Sequence, residues 1–210
     1  EIAKQLDLHP AKSLGQNFVI DGNTCRKIVR LANINNADVV LEIGPGLGSL
    51  TIALLPEARE VIAVEIDRRL ASQLAETMQN KIPNHANKLQ IINEDAQLVN
   101  KLPQLPTALV ANLPYNISLK LLIKWIYSEP WPPFYNQMVL MFQKEVAERI
   151  IATSNNKKYG RISILSDARL NIKFHFNISK KEFNPEPKVD STVLSFTPKK
   201  KTRLFNYSIC

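Results

Sequence analysis

Cysteine is nearly absent from this sequence, with only Cys25 and Cys210, and there are three histidines. Two distant thiols give neither a disulfide framework nor a metal site, and the histidines have no ligand spacing, so no metal is expected and a reducing, cytoplasmic compartment is. Long hydrophobic runs are missing too: none approaches the roughly 20 apolar residues that a membrane span needs, so no membrane partner is expected. The first residues lack the basic, apolar and small pattern of a leader, and Glu1 in place of methionine leads us to expect that a few residues precede it. Acidic residues are in deficit, 19 against 27 Lys and Arg, which gives a net charge of +8 and favours a polyanionic partner. The excess is clustered, at Lys157, Lys158 and Arg161 and again at Lys180, Lys181, Lys199, Lys200, Lys201 and Arg203. There is no internal repeat and no low-complexity segment, and 210 residues suffice for one α/β domain and little more.

The chain is organised around Val39-Val40-Leu41-Glu42-Ile43-Gly44-Pro45-Gly46-Leu47-Gly48-Ser49-Leu50. A β-branched and aliphatic run enters a glycine loop and leaves it through Leu50, Ile52, Ala53 and Leu54 at helical spacing, which reads as strand, tight turn and helix. Such a turn lets backbone approach a ligand closely, and the helix start presents unpaired N–H groups to it. The dinucleotide fingerprint G-x-G-x-x-G would need glycine at position 49, where the chain has Ser49. The pattern present, E-x-G-x-G-x-G, resembles motif I of the methyltransferases that use S-adenosylmethionine.

Around this stretch the pattern predicts alternating strands and helices. A helix capped by Asp21 or Asn23 follows the small and polar loop Lys12–Phe18. Strands are expected at Val61–Ile66, Leu89–Ile92, Ala108–Ala111 and Gln137–Phe142. Helices are expected after Asp67, from a cap at Ser118, from Lys144 to Ile151 with Val146 and Ile150 inward, and from Arg161 to Leu170. Two last strands, Ile172–Ile178 and Thr192–Phe196, have no crossover helix between them and should pair antiparallel. The expected fold is α/β: a doubly wound, mostly parallel seven-stranded sheet with an antiparallel terminal hairpin.

Ligands of such sheets sit beyond the carboxyl ends of the strands. Glu65 ends the second strand, where a carboxylate can accept both hydroxyls of a ribose, and Asp95 ends the third, placed to accept from an exocyclic amine of adenine. Either alone could be a helix cap; the pair favours an adenosine ligand. Asn112-Leu113-Pro114-Tyr115 is the sharpest signal. Pro114 holds Leu113 extended and the Asn112 amide fixed, and Tyr115 offers a ring on which a flipped base could lie. The tetrapeptide offers neutral acceptors only, so a transfer here needs no charged base.

Seven ordered blocks then carry a resemblance: Lys12–Phe18, Leu41–Gly46, Glu65–Asp67, Asn112–Ser118, Gln143–Arg149, Tyr159–Arg161 and Pro187–Ser191. The chain resembles the adenine N6-dimethyltransferases of ribosomal RNA, the family of the ribosomal RNA small subunit methyltransferases A, with relatives in the eukaryotic dimethylase and the macrolide-resistance methylases. The resemblance implies a Rossmann-like class I methyltransferase fold. It implies that Asn17, Val19, Gly44, Gly46, Glu65, Asp95 and Asn112 line the S-adenosylmethionine site. It also implies that Asn112, Leu113, Pro114 and Tyr115 carry the transfer, with Tyr115 and Phe183 bracketing the target adenine. Two departures stand out. Val19 replaces the usual leucine, and the family continues into a small helical domain, of which residues 199–210 are expected to be only the basic start after a methyltransferase domain at 1–198.

The implied activity is methylation of N6 on two adjacent adenines near the 3′ end of small-subunit (16S) ribosomal RNA, with the immature small subunit as partner and a monomer as working form. Three rivals differ in what they require. A dehydrogenase is disfavoured by Ser49, and a large-subunit RNA methylase more commonly has isoleucine at Leu113. An assembly or transcription factor would keep the fold without turnover.

Overall fold

Five residues of one strand, Val39–Ile43 (β2), are all buried, which places it in the middle of a sheet covered on both faces. Along β2 the side chains alternate between two cores. Val39, Leu41 and Ile43 join one with Leu109, Leu140 and the helix residues Leu121, Leu122 and Ile126. Val40 joins the other, with Val61, Val110, Ile28, Leu54 and Met78. Glu42 shares the parity of Val40 and so points into the second layer.

The computed structural model describes residues 17–99 and 101–200. Lys12–Gln16 of the first sequence block and residues 201–210 of the basic tail lie outside them. The strands are β1 (Phe18–Val19), β2, β3 (Glu60–Val64), β4 (Leu89–Ile92), β5 (Ala108–Asn112), β6 (Gln137–Gln143), β7 (Leu170–Ile178), β8 (Phe183–Asn184) and β9 (Ser191–Pro198). Helices α1 (Gly22–Leu31), α2 (Ser49–Leu54), α3 (Arg68–Lys81), α4 (Tyr115–Ile126), α5 (Lys144–Ile150) and α6 (Arg161–Arg169) connect them, with a single turn at Pro83–Ala86. The main sheet has seven strands in the order β4-β3-β2-β5-β6-β9-β7. Pairs from β4 to β6 are parallel, and β9 runs antiparallel to both β6 and β7. The doubly wound sheet and its antiparallel end are as expected. The chain steps outward from β2 to β3 and β4 and then returns to β5 on the other side of β2, so the order reverses between β2 and β5.

Four details differ from the sequence expectation. Ser118 does not cap α4. The helix already starts at Tyr115, because Pro114 O accepts from the amides of Ile117 and Ser118 at 3.1 and 3.0 Å, and the Ser118 hydroxyl donates back to Tyr115 O at 3.1 Å. Strand β3 stops at Val64, leaving Glu65 and Ile66 beyond the sheet edge. On α5 it is Ala147 together with Ile150 that is buried, and Val146 is only half-buried. The two-residue strands β1 and β8 were not foreseen: they form a separate antiparallel ribbon with Val19 opposite Phe183.

Candidate active site

The switch between β2 and β5 opens a cleft lined by residues from four segments far apart in sequence. From the glycine loop come Gly44, Pro45 and Leu47, followed by Ser49 and Leu50 of α2; from the end of β3, Glu65 and Ile66; from β5 onward, Asn112, Leu113, Pro114 and Tyr115; and from the N-terminal side, Asn17, Phe18 and Val19. An adjoining cavity shares Gly44, Glu65, Ile66 and Pro114 and adds Glu94, Asp95, Ala96 and Gln97.

The loop is built from left-handed backbone. Gly46 has φ +55°, and a Cβ there would lie 2.4 Å from the Phe18 ring; Gly48 has φ +82°, and a Cβ there would meet Met78 Cε at 2.5 Å. Left-handed backbone thus favours glycine at both positions, and at Gly46 the packing of the Phe18 ring onto the loop excludes a Cβ as well. The loop is pinned by Gly44 N donating to Val64 O at 2.9 Å and Gly48 N donating to Pro45 O at 2.9 Å.

Glu65 is 4% exposed. Its Oε2 accepts from Gly46 N at 3.1 Å and its Oε1 from Asp67 N at 2.9 Å, so the carboxylate ties the loop to the start of α3. Burial pushes its pKa above the usual carboxylate value, while these backbone amides pull the other way. Asn93 Nδ2 donates to Glu65 O at 2.8 Å, which fixes the strand end that carries it. Asp95 Oδ1 accepts from Gln97 N at 2.8 Å. That makes it a turn cap as well as a wall of the adjoining cavity.

Asn112 ends β5, and its side-chain amide nitrogen donates to Asn17 O at 2.8 Å. With the nitrogen committed, the carbonyl oxygen of this side chain is the group able to accept from a ligand. Leu113 is buried and Pro114 is the cap residue before the helix, while Tyr115 is half-buried and its hydroxyl lies 2.7 Å from Ser191 Oγ. Burial raises the Tyr115 pKa, so the phenol stays neutral at physiological pH. Phe183, the other half of the expected bracket, is not among the residues that line the cleft. It is 3% exposed, lies opposite Val19 and belongs to the apolar cluster that contains Ile178 and Val193, so in this structure it faces the core and not the cleft.

Glu42 is a further ionisable group of the cleft. This carboxyl is 1% exposed, lines the cleft and accepts from the Thr51 hydroxyl at 2.7 Å. Burial pushes its pKa up to about 8. The signal was in the sequence, an acid inside an otherwise apolar strand directly before the glycine loop.

A profile of the family described as "Ribosomal RNA adenine dimethylase" matches residues 9–208. The chain belongs to that family. The ribosomal RNA small subunit methyltransferase A of Bradyrhizobium sp. (strain ORS 278) is 46% identical over 203 residues, covering 95% of this chain and 70% of its own length. Among solved structures, a dimethyladenosine transferase from Plasmodium falciparum matches with a TM-score of 0.80 and 35% identity, over 90% of this chain and 66% of that one. The 23S rRNA methyltransferase ErmE matches with a TM-score of 0.73 and 28% identity, over 90% of this chain and 72% of its own.

Members of the ribosomal RNA adenine dimethylase family are methyltransferases that use S-adenosylmethionine, and the cleft of this chain fits that donor. Gly44 lines both cavities without a side chain, Glu65 offers a buried carboxylate at a strand end, and Ile66 stands 48% exposed between the two cavities as an apolar surface for a ring. No helix among the described residues is long and apolar enough to cross a membrane.

Proposed function

We propose that this chain dimethylates N6 of two adjacent adenines near the 3′ end of small-subunit (16S) ribosomal RNA during ribosome biogenesis, as a cytoplasmic monomer acting on the immature small subunit. The observation that carries the reading is the fixed Asn112 side chain. Its nitrogen is held by Asn17, and its oxygen is presented beside Tyr115 at the switch point of the sheet.

S-adenosylmethionine supplies an electrophilic methyl group when bound. Glu65 would hold the donor by accepting from its ribose, and Asp95 by accepting from the exocyclic amine of its adenine. Asn17, Val19, Gly44 and Gly46 give the close backbone walls. On the acceptor side, the Asn112 oxygen and a carbonyl of the Leu113–Pro114 segment accept from the target amine. That amine is a poor nucleophile because its lone pair is delocalised into the ring, and two acceptors favour its localised, pyramidal form. Tyr115 supplies a flat surface for the flipped base, with its hydroxyl anchored on Ser191. No side chain on this face needs to act as a charged base.

The greater identity to the small-subunit enzyme than to the 23S methyltransferase, 46% against 28%, favours the small subunit as substrate. Unmethylated small-subunit RNA and large-subunit RNA, each incubated with protein and labelled donor and analysed by nucleoside mass spectrometry, test the reading. The expected product is N6,N6-dimethyladenosine at two adjacent positions of the small-subunit RNA. Label only in the large-subunit RNA, or in neither, overturns it.

A further inference from the structure

Three of the seven sequence blocks take no part in holding the donor, and the fold brings them to one place. Lys144, Glu145 and Glu148 of the Gln143–Arg149 block, Lys158 beside the Tyr159–Arg161 block, and Lys188 and Asp190 of the Pro187–Ser191 block line a single open groove, which Lys180 completes. The groove is joined to the acceptor end of the cleft through one short segment, Asp190–Ser191. Tyr115 bonds Ser191, Asp190 is the next residue, and Asp190 O accepts from Lys144 N at 2.9 Å. Asp190 Oδ1 also accepts from Lys180 N at 3.0 Å, so one residue holds two walls of the groove in register.

The charges in it are unequally satisfied. Lys158 is paired with Glu148, and Lys180 with Glu186 at 2.8 Å. Lys144 and Lys188 are exposed and make no ion pair among the described residues, and the lining carboxylates of Glu145 and Asp190 make none there either. Exposed lysines without ion-pair partners in an open groove are the groups that hold a phosphate backbone.

We propose that the RNA strand flanking the target adenosine runs along this groove, with Lys144 and Lys188 on its phosphates. The proposal rests on the function stated above and adds the path of the substrate.

The test is the pair Lys144→Glu with Lys188→Glu, and a milder pair Lys144→Ala with Lys188→Ala. A control pair, Arg26→Glu with Arg30→Glu, is taken from the separate cavity between α1 and α2. Affinity for a small-subunit RNA fragment that carries the target adenines is measured by fluorescence anisotropy at several salt concentrations, and S-adenosylmethionine affinity by calorimetry. We expect the charge reversal to weaken RNA binding at least tenfold and the alanine pair several-fold. Two lost phosphate contacts should flatten the log–log salt slope by about 1.5. Donor affinity should be unchanged, which also shows that the variants fold, and the control pair should lose less than about threefold. Wild-type RNA affinity in the groove variants, as an acidic protein partner for the groove would give, or an equal loss in the control pair, overturns the proposal. Methylation of the same RNA by wild-type protein separates the two readings. If it occurs while the groove variants bind normally, only the path is wrong; if it does not occur, the function is.

Discussion

The side-chain amide of Asn112 donates to the backbone carbonyl of Asn17 at 2.8 Å, across 95 positions of the chain. This bond closes the cleft between β5 and β1, and it sets which end of the Asn112 amide faces a substrate. Asn112→Ala removes both functions. With donor saturating, its single-turnover rate should fall roughly a hundredfold, the scale seen when one preorganised polar contact to a transition state is lost. Asn112→Asp keeps an acceptor but sets a carboxylate against the Asn17 carbonyl, and should fall between the two. A rate within tenfold of wild type for the alanine variant would reduce Asn112 to a turn residue.

Glu65 holds a second such link, since its two oxygens accept from Gly46 N and Asp67 N. Glu65→Ala should weaken S-adenosylmethionine binding by about 1.5–3 kcal/mol, from lost charge-assisted bonds to the ribose and a looser loop. Glu65→Gln retains one acceptor and should lose less. Calorimetry with the donor and with adenosine decides the assignment. If Glu65→Ala bound donor as tightly as wild type, Glu65 would be a loop brace and not a ribose ligand.

Much of this architecture was legible because it is written locally. Buried parallel strands read as apolar runs, the glycines of the loop mark left-handed backbone, and Asp21 and Asp67 cap α1 and α3 as their sequence positions suggest. What stayed hidden depends on distant pairing. Two residues at Phe18–Val19 carry no strand signal, and only their partner at Phe183–Asn184 makes them one. That pairing also buries Phe183, whose expected place beside the target adenine came from the family resemblance and not from its neighbours in the chain. Ser118 had a cap's identity but not its place, because Pro114 had already started the helix. Glu42 was read as part of a spelling and not as a group, since strand parity toward Thr51 is visible only once the helix is packed.

Gly46 offers a test of why the loop needs glycine. Gly46→Ala should destabilise the protein by at least about 1–2 kcal/mol from its left-handed φ alone, and further because the Phe18 ring lies where the Cβ must go. Phe18→Ala in the same chain should recover the steric part and leave the conformational part. Chemical denaturation of the four proteins of this cycle reads the coupling directly. Strict additivity would show that β1 does not rest on the loop in solution.

The pH dependence of stability isolates Glu42. Burial lifts its pKa from the usual 4.5 to about 8, with the hydroxyl of Thr51 opposing the shift and the nearby Glu65 carboxylate adding to it. Between these values the folded chain keeps the proton and the unfolded chain has released it. The folded state therefore binds more protons, and stability must fall as pH rises across the window. Below about pH 4.5 both states hold the proton and the site costs nothing; above about pH 8 both have lost it and the full cost of a buried charge is present. Glu42→Gln has nearly the same shape, and its amide oxygen can accept the same bond from Thr51, but it cannot ionise. The variant should melt close to wild type at pH 5 and above it at pH 8.5, by a gap on the order of 5 °C. All other titrating groups are common to both proteins, so the difference in Tm between them isolates this one carboxyl. A gap that stays constant from pH 5 to 8.5, or that shrinks, would mean that Glu42 is already ionised in the folded cleft and held there by a partner.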